Sequence, residues 1–285
     1  MTAGVDVRPL SKTLQKKSAK ELNEDPNRAK ADLQALRDWL AKQPHLKSVK
    51  PTDQWLIAFL RGCKFSLERS KEKIDMFYTL KSVVPEFFSN RDPLDSRVQE
   101  ILKLGVFLPV RKLKNEDSPR VNIVRVGVFD PSVYNLTDMM KVAFMLTEIQ
   151  MLEDDNFMIA GEVLDMKDVG ISVLSQWTPA LAKKVITCFE KALPIRMKGI
   201  HIMNTPTGFE AAYTILKRFI GANLRYLIIR VHSFADYWKE KVESYRDWFL
   251  KEESARSDES QRPDLPKTSS LLFGVEGSFR KLEVD

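Results

Sequence analysis

The chain has 285 residues, 44% hydrophobic and 29% charged, with 45 Lys and Arg against 39 Asp and Glu for a net charge of +6. That composition can bury a core in one large or two modest domains and excludes a disordered chain. The mild positive balance lacks the dense basic stripe of a nucleic-acid binder, but it suits an anionic membrane surface, where each well-placed Lys or Arg adds about 1 kcal/mol.

The apolar runs, such as 104–110 and 226–229, fall far short of the ~20 residues a membrane-spanning helix needs. The first twenty residues carry Arg8, Lys12, Lys16, Lys17 and Lys20 without the apolar centre of a secretory signal. Cys63 and Cys188 are the only cysteines and read as two reduced thiols in the cytosol.

Residues 1–25 are polar and read as a loose lead-in. Pro26 suits the first turn of a helix capped by Asp25, and Ala29, Leu33, Leu36 and Leu40 form one helical stripe that Pro44 ends. Thr52 is placed to cap a second helix, with Leu56, Phe59 and Leu60 inward and Gly62 as its stop. Ser66 opens a third, with Ile74, Phe77 and Tyr78 on one face, ending before Pro85. A fourth is predicted over 93–104, stopped by Gly105, so the first hundred residues read as all-helical.

The pattern then changes. Residues 106–110 and 121–128 are β-branched and alternating, with a polar turn at 115–119 between them, which is a strand signal. Thr137 is placed to cap a helix reaching about Glu153, and a strand follows over 157–165. Pro179 starts a helix with Leu181, Val185, Cys188, Phe189 and Ala192 inward. A strand is predicted over 199–203, a helix over 208–220, a strand over 224–231 and a helix over 236–251 carrying Trp238, Val242, Tyr245 and Phe249. Strand and helix in turn from 121 to 232 argue a largely parallel sheet with helices packed on it. Residues 252–270, with Ala255 and Leu265 as their only aliphatics, read as a linker, and 271–284 as a tail that docks back. The expected organisation is a flexible 1–25, a helical domain over 26–92, an α/β domain over 93–251, and a linker and tail over 252–285.

Signals for catalysis are sparse. The sequence holds no dinucleotide fingerprint, phosphate loop or nucleophile elbow. His45, His201 and His232 each lack a second His at ligand spacing, so neither a metal nor another cofactor is expected. His201 reads as a hydrogen-bonded sheet histidine before a catalytic one, and Cys188 as core before nucleophile. Glu153, Asp154 and Asp155 read as a solvated loop for want of convergent partners.

Signals for binding are richer. Met139, Met140, Met145, Met151, Met158 and Met166 crowd one stretch, as core filling or as an adaptable wall for a flexible ligand. The 208–220 helix, with Pro206 and Gly208 before it and Gly221 after, is either a plain surface helix or a lid over an apolar cavity. Arg196 and Lys198 alternate onto one face of a strand, with Arg225 and Arg230 on the next. Such arginines are solvated edge charges or a cluster that holds phosphates by charge-assisted hydrogen bonds.

Several segments carry a resemblance when taken in order. They are Leu36-Arg37-Asp38-Trp39-Leu40, Gln43-Pro44-His45-Leu46, Phe59-Leu60-Arg61-Gly62-Cys63-Lys64-Phe65 and Pro119-Arg120-Val121. Further on come Val163-Leu164-Asp165-Met166-Lys167-Asp168-Val169-Gly170 and, above all, Pro194-Ile195-Arg196-Met197-Lys198-Gly199-Ile200-His201-Ile202-Met203-Asn204-Thr205-Pro206. Together they resemble the CRAL-TRIO lipid-binding family, in the branch of α-tocopherol transfer protein, retinaldehyde-binding protein and clavesin, as an insect-like member, from about residue 25 to the C-terminus.

The resemblance implies an α/β fold: a helical N-terminal domain followed by a CRAL-TRIO α/β sandwich with a largely parallel sheet and a lipid pocket. It implies that residues 207–221 are a mobile gate. Phe209, Ala212, Tyr213, Leu216, Phe219 and Ile220 would then face the ligand, with Met140, Phe144 and Met158 on the wall. It implies one hydrophobic ligand, such as a retinoid or tocopherol, and phosphatidylinositol bisphosphate bound in a basic cleft by Arg61, Arg196 and Lys198. The gate-side basic residue of that cleft falls near Leu227 here, with Arg225 as its substitute. The chain also departs from the family. After His232 it runs through Ser233-Phe234-Ala235-Asp236 into the last helix, where the family has roughly twenty to twenty-five more residues and a Leu-Pro-x-Glu-Tyr-Gly-Gly motif.

The expected function is a non-enzymatic cytoplasmic carrier, a monomer peripheral to membranes and without nucleic acid as a partner. It would bind a hydrophobic small molecule and exchange it with help from phosphoinositides. The alternative is a phosphoinositide-binding adaptor without cargo.

Overall fold

The computed structural model describes residues 7–110, 115–116, 118, 120–153, 159–205 and 234–274. Five helices come first: α1 (Lys12–Leu22), α2 (Pro26–Ala41), α3 (Asp53–Gly62), α4 (Leu67–Val83) and the single turn α5 (Pro85–Phe88). The expected caps are in place. The Asp25 carboxylate accepts from the Asn27 N–H at 2.9 Å and the Thr52 hydroxyl from the Trp55 N–H at 3.2 Å. Leu36, Leu56, Phe59, Ile74 and Phe77 are buried, and Trp55, Phe59, Phe77 and Phe88 meet edge to face. Such pairs add about 0.5–1.5 kcal/mol each beyond their burial.

The loose lead-in expected over 1–25 is in part a helix. Ser11 caps α1 by accepting from the Leu14 N–H at 3.2 Å, and Ser18 and Leu22 are buried. The Arg8 N–H donates to Gln54 on α3, and its guanidinium reaches the Leu152 carbonyl at 3.2 Å. Tertiary anchors, rather than an apolar stripe, hold this segment.

Helix α6 (Ser96–Leu104) begins at the Asp95 cap, three residues later than expected, because Asp95 accepts from the Arg97 and Val98 N–H groups. It ends at Gly105, whose φ of 62° is the left-handed stop that glycine takes without strain. The strands are β1 (Phe107–Pro109), β2 (Arg120–Arg125), β3 (Ile159–Asp165) and β4 (Arg196–Met203), ordered β1-β2-β3-β4. The first pair is antiparallel and the next two are parallel, as the alternation predicts. Helix α7 (Leu136–Glu153) links β2 to β3, and α8 (Ile171–Ser175) and α9 (Pro179–Thr187) link β3 to β4. The cap of α7 is Asn135, not Thr137: Asn135 Oδ1 accepts from the Asp138 N–H at 2.8 Å. The predicted strand over 224–231 and helix over 208–220 lie outside the described residues.

The last long helix is two: α10 (Phe234–Ser244) and α11 (Arg246–Glu252), broken at Tyr245. Trp238 on α10 donates its indole N–H to the Pro109 carbonyl at 2.6 Å, tying the helix to β1. Residues 252–270 are not a slack linker. The Ser257 N–H donates to the Tyr78 carbonyl and the Asp258 N–H to the His45 carbonyl, at 2.9 and 2.8 Å. Arg262 Nη1 and Nη2 reach Asp75 at 3.1 and 2.9 Å, and the Lys267 ammonium and His45 Nε2 meet the same carboxylate. Burial alone would raise Asp75, but hydrogen bonds from Arg262, Lys267 and His45 outweigh it and hold the carboxyl down to about 2. The tail docks through α12 (Ser269–Phe273), with Phe273 buried in the N-terminal core.

Several contacts join the halves, and two of them bear on the site. Helix α7 is shared: Phe144 and Met151 lie in the core of the first helices, and Met139, Val142, Met145 and Ile149 in the core beneath the sheet. At the other contact, Gly62 at the end of α3 lies against the chain before β4. A Cβ there would stand 2.0 Å from the Pro194 carbonyl oxygen. Lys73 on α4 secures the same stretch by donating to the Glu190 and Leu193 carbonyls at 2.8 and 2.6 Å. Because the obstruction is backbone, Gly62→Ala should lower the thermal midpoint by several degrees, the equivalent of about 1–3 kcal/mol. Gly161→Ala, whose Cβ would make only an ordinary 3.7 Å contact, should leave a circular-dichroism melt nearly unchanged.

Candidate functional site

Arg61 and Arg196 lie, in sequence, one and two residues from the point where Gly62 meets Pro194. Arg61 is the last basic residue of α3, and Arg196 opens β4 two residues after Pro194. Arg61 is only 3% exposed, and Glu24 grips it in a fork: Nε lies 3.0 Å from Oε2 and Nη2 lies 2.9 Å from Oε1. Arg196 is half-buried, and its Nη1 is buried with no hydrogen-bond partner among the described residues. A buried guanidinium nitrogen without an acceptor is costly and favours an anion or a water. Lys198 stands in β4 as the extra residue of a bulge, since Ala160 pairs with Met197 and Gly161 with Gly199. Its side chain and the whole of Arg225 lie outside the described residues. A bulge undoes the simple alternation that placed Arg196 and Lys198 on one face.

Among the wall residues, Met140 is half-buried between the two cores. Phe144 is 1% exposed, its ring 5.2 Å from Phe88 and 5.1 Å from Phe189. It sits in an aromatic stack with Phe87, Phe88 and Phe189. Met158 lies outside the described residues, as do Phe209, Ala212, Tyr213, Leu216, Phe219 and Ile220. Two cavities lie among the described residues. One, between Val106, Phe107, Met139, Val142 and Trp238, holds about 10 Å³, room for one water. The other, about 240 Å³, is a polar cleft lined by Asp95, Arg97, Asp138 and Lys141.

The sheet offers one acidic residue that the sequence reading passed over. In parallel register Asn122, Glu162 and Ile200 stand side by side, and Gln150 Nε2 donates to Asn122 Oδ1 at 3.2 Å. Glu162 has no hydrogen-bond partner among the described residues, and burial pushes its carboxyl up to about 7. The signal was a lone acid inside an apolar strand run, Ile159-Ala160-Gly161-Glu162-Val163-Leu164. Across the next register step, Ile123 and Val163 are buried in the core while His201 is half-buried, and its Nδ1 has no hydrogen-bond partner among the described residues. Burial pushes the Cys188 thiol well up, which suits its place in the core, and both cysteines are free and buried. Among the described residues no cluster of His, Cys, Asp or Glu is arranged to hold a metal, and no helix is long and apolar enough to cross a membrane.

Two stretches of the chain match known protein families. Residues 110–245 match the CRAL/TRIO domain, and residues 25–98 match the Pinta-like UBA domain. The chain is 32% identical over 213 residues to the mouse (Mus musculus) "Alpha-tocopherol transfer protein-like", covering 74% of this chain and 61% of that protein. It is 24% identical over 202 residues to "Clavesin-1" of Xenopus laevis, covering 70% of this chain and 60% of that protein. The chain thus spans about three fifths of the length of these relatives. Among solved structures, the crystal structure of Sfh5 superposes with a TM-score of 0.45 at 15% identity, over 75% of this chain and 78% of that one.

Glu162 gives the sheet a pH signature. Its folded value lies above the ordinary 4.5, so between 4.5 and about 7 the native state holds more protons than the unfolded chain. Stability contributed by this group is therefore present below 4.5 and lost as pH rises toward 7. Glu162→Gln should flatten that part of the urea-midpoint profile; an unchanged slope would mean the carboxyl is solvated or paired.

Proposed function

The chain carries a CRAL/TRIO domain, and from that premise we propose a carrier that holds one hydrophobic small molecule and exchanges it at membranes. The observation that carries the proposal is the match of residues 110–245, the stretch that builds β2, β3, β4 and α10, to this domain. The name of the mouse relative, which speaks of tocopherol transfer, supports a cargo of the tocopherol or retinoid kind. Burying such a molecule contributes about 0.8 kcal/mol per methylene, enough to retain a prenyl or polyene chain against water. In this reading residues 207–221 are the gate, and Phe209, Ala212, Tyr213, Leu216, Phe219 and Ile220 are its apolar face. Met140 and Met158 complete the wall, and Phe144 supports it from the packed core behind.

Docking follows from charge. Arg196, Lys198 and Arg225, with Arg61 across the domain junction, form the cleft for a phosphorylated inositol headgroup, and each contact to the anionic surface adds about 1 kcal/mol. The protein acts from the cytoplasm as a monomer and carries without catalysing. A second reading is an adaptor that docks through the same arginines and holds no cargo. The short connection from His232 to Tyr237 favours it, because the family places additional chain there.

Native mass spectrometry of the purified protein separates the two readings. A carrier should show one lipid mass bound to the chain and take up retinol or tocopherol when emptied; an adaptor should show neither. Sedimentation with vesicles containing phosphatidylinositol bisphosphate tests the shared part. Arg196→Gln should weaken binding by about 1–3 kcal/mol, as loss of a charged hydrogen bond does. Binding indifferent to Arg196 would remove it from the cleft.

A further inference from the structure

The fork that Glu24 closes on Arg61 has a geometry that bears on docking. Two carboxylate oxygens sit on Nε and Nη2 of one guanidinium, 3.0 and 2.9 Å away, which is how a phosphate also pairs with arginine. Arg61 is 3% exposed and the Glu24 side chain 11%, so no external anion reaches this guanidinium while Glu24 is seated. Glu24 is delivered by the end of α1. Asn23, at φ 61°, turns the chain out of the helix, the Glu24 N–H donates to the Ser18 carbonyl at 3.3 Å, and the Ser18 hydroxyl also meets the Glu24 carboxylate.

Helix α1 is otherwise lightly held. Only Ser18 and Leu22 of its residues are buried, while Lys12, Lys16 and Lys20 recur every fourth residue in exposed positions. At the same domain junction, Arg196 keeps a buried Nη1 without an acceptor among the described residues. One arginine is thus occupied by an internal carboxylate and a second is left with an open donor.

We infer that Glu24 is a latch: it occupies Arg61 in place of a phosphate, and a phosphorylated inositol headgroup that engages Arg196 displaces it and frees α1 to lay its lysines on the anionic surface. The inference rests on the phosphoinositide reading of Arg61 and Arg196 and adds to it an internal competitor. Exchange of one oxyanion for another at Arg61 makes the two events reciprocal: whatever weakens the latch tightens headgroup binding by the same factor.

The test uses the full chain with phosphatidylcholine vesicles, with or without phosphatidylinositol bisphosphate. Glu24→Gln, which keeps the side-chain shape and removes the charge, should bind phosphoinositide vesicles at least about fivefold tighter than the unmodified chain, the low end of coupling between linked sites. Its binding to plain phosphatidylcholine should not change. Hydrogen exchange on the unmodified chain needs no variant: residues 12–22 should exchange faster when phosphoinositide vesicles are bound. Soluble inositol trisphosphate producing the same rise without vesicles would place the trigger in the phosphates; a rise only with vesicles would place it in the membrane-held headgroup, and either supports the latch. Equal or weaker binding by Glu24→Gln with α1 still protected, while Arg196→Gln loses binding, would overturn the latch and leave the docking cleft standing. Binding that ignores the phosphoinositide in every variant would overturn both.

Discussion

A side chain at residue 62 would collide with the Pro194 carbonyl, and much of the molecule hangs on the absence of one. The close approach seats the end of the third helix on the chain entering the last described strand, and Lys73 holds that stretch by two carbonyls. This approach brings the backbone beside Arg61 close to that just before Arg196, 135 positions away in sequence. A binding cleft built across two structural units is only as well defined as the contact between them.

Elsewhere the halves are joined by buried charge. Arg91 and Glu148, both essentially unexposed, pair at 2.5 Å, and the Arg91 guanidinium lies over the Phe88 and Phe249 rings. Beside them the buried Lys81 ammonium donates to the Glu252 carbonyl at 2.7 Å; burial, with Arg91 nearby, pushes it down to about 8. Pairs of this kind add little net stability over an apolar filling, but losing one partner costs about 3–5 kcal/mol. They therefore fix the relative placement of α4, α7 and α11 more than they strengthen it. The 255–268 strap does likewise at the far side, where Asp75 gathers Arg262, Lys267 and His45.

Elements with a local signal were legible in the sequence, and those held by distant partners were not. Asp25 before Pro26, Thr52 and Gly105 announce their helix ends through their own chemistry, and the order of strand and helix announces a parallel sheet. Helix α1 has no apolar stripe to read; its anchors are Gln54, the Leu152 carbonyl and Arg61, all remote. The strap is mostly polar, and its order comes from Asp75, the Tyr78 and His45 carbonyls and the burial of Ala255. At the candidate site, the motif through Arg196 and Lys198 was readable, whereas the bulge at Lys198 and the seat of Glu24 on Arg61 were not, since both arise from pairings between separate segments. Phe144 enters the wall only through the family resemblance; nothing in the sequence signals its stack with Phe88 and Phe189, which lie on separate segments.

In the proposed carrier an anion site for the membrane would serve an apolar site for cargo. Transfer of a fluorescent tocopherol analogue from loaded protein into acceptor vesicles measures both at once. Transfer should accelerate when the acceptors contain phosphatidylinositol bisphosphate and lose that acceleration in Arg196→Gln. A transfer rate indifferent to the headgroup, or a protein that never loads the analogue, would contradict the proposal.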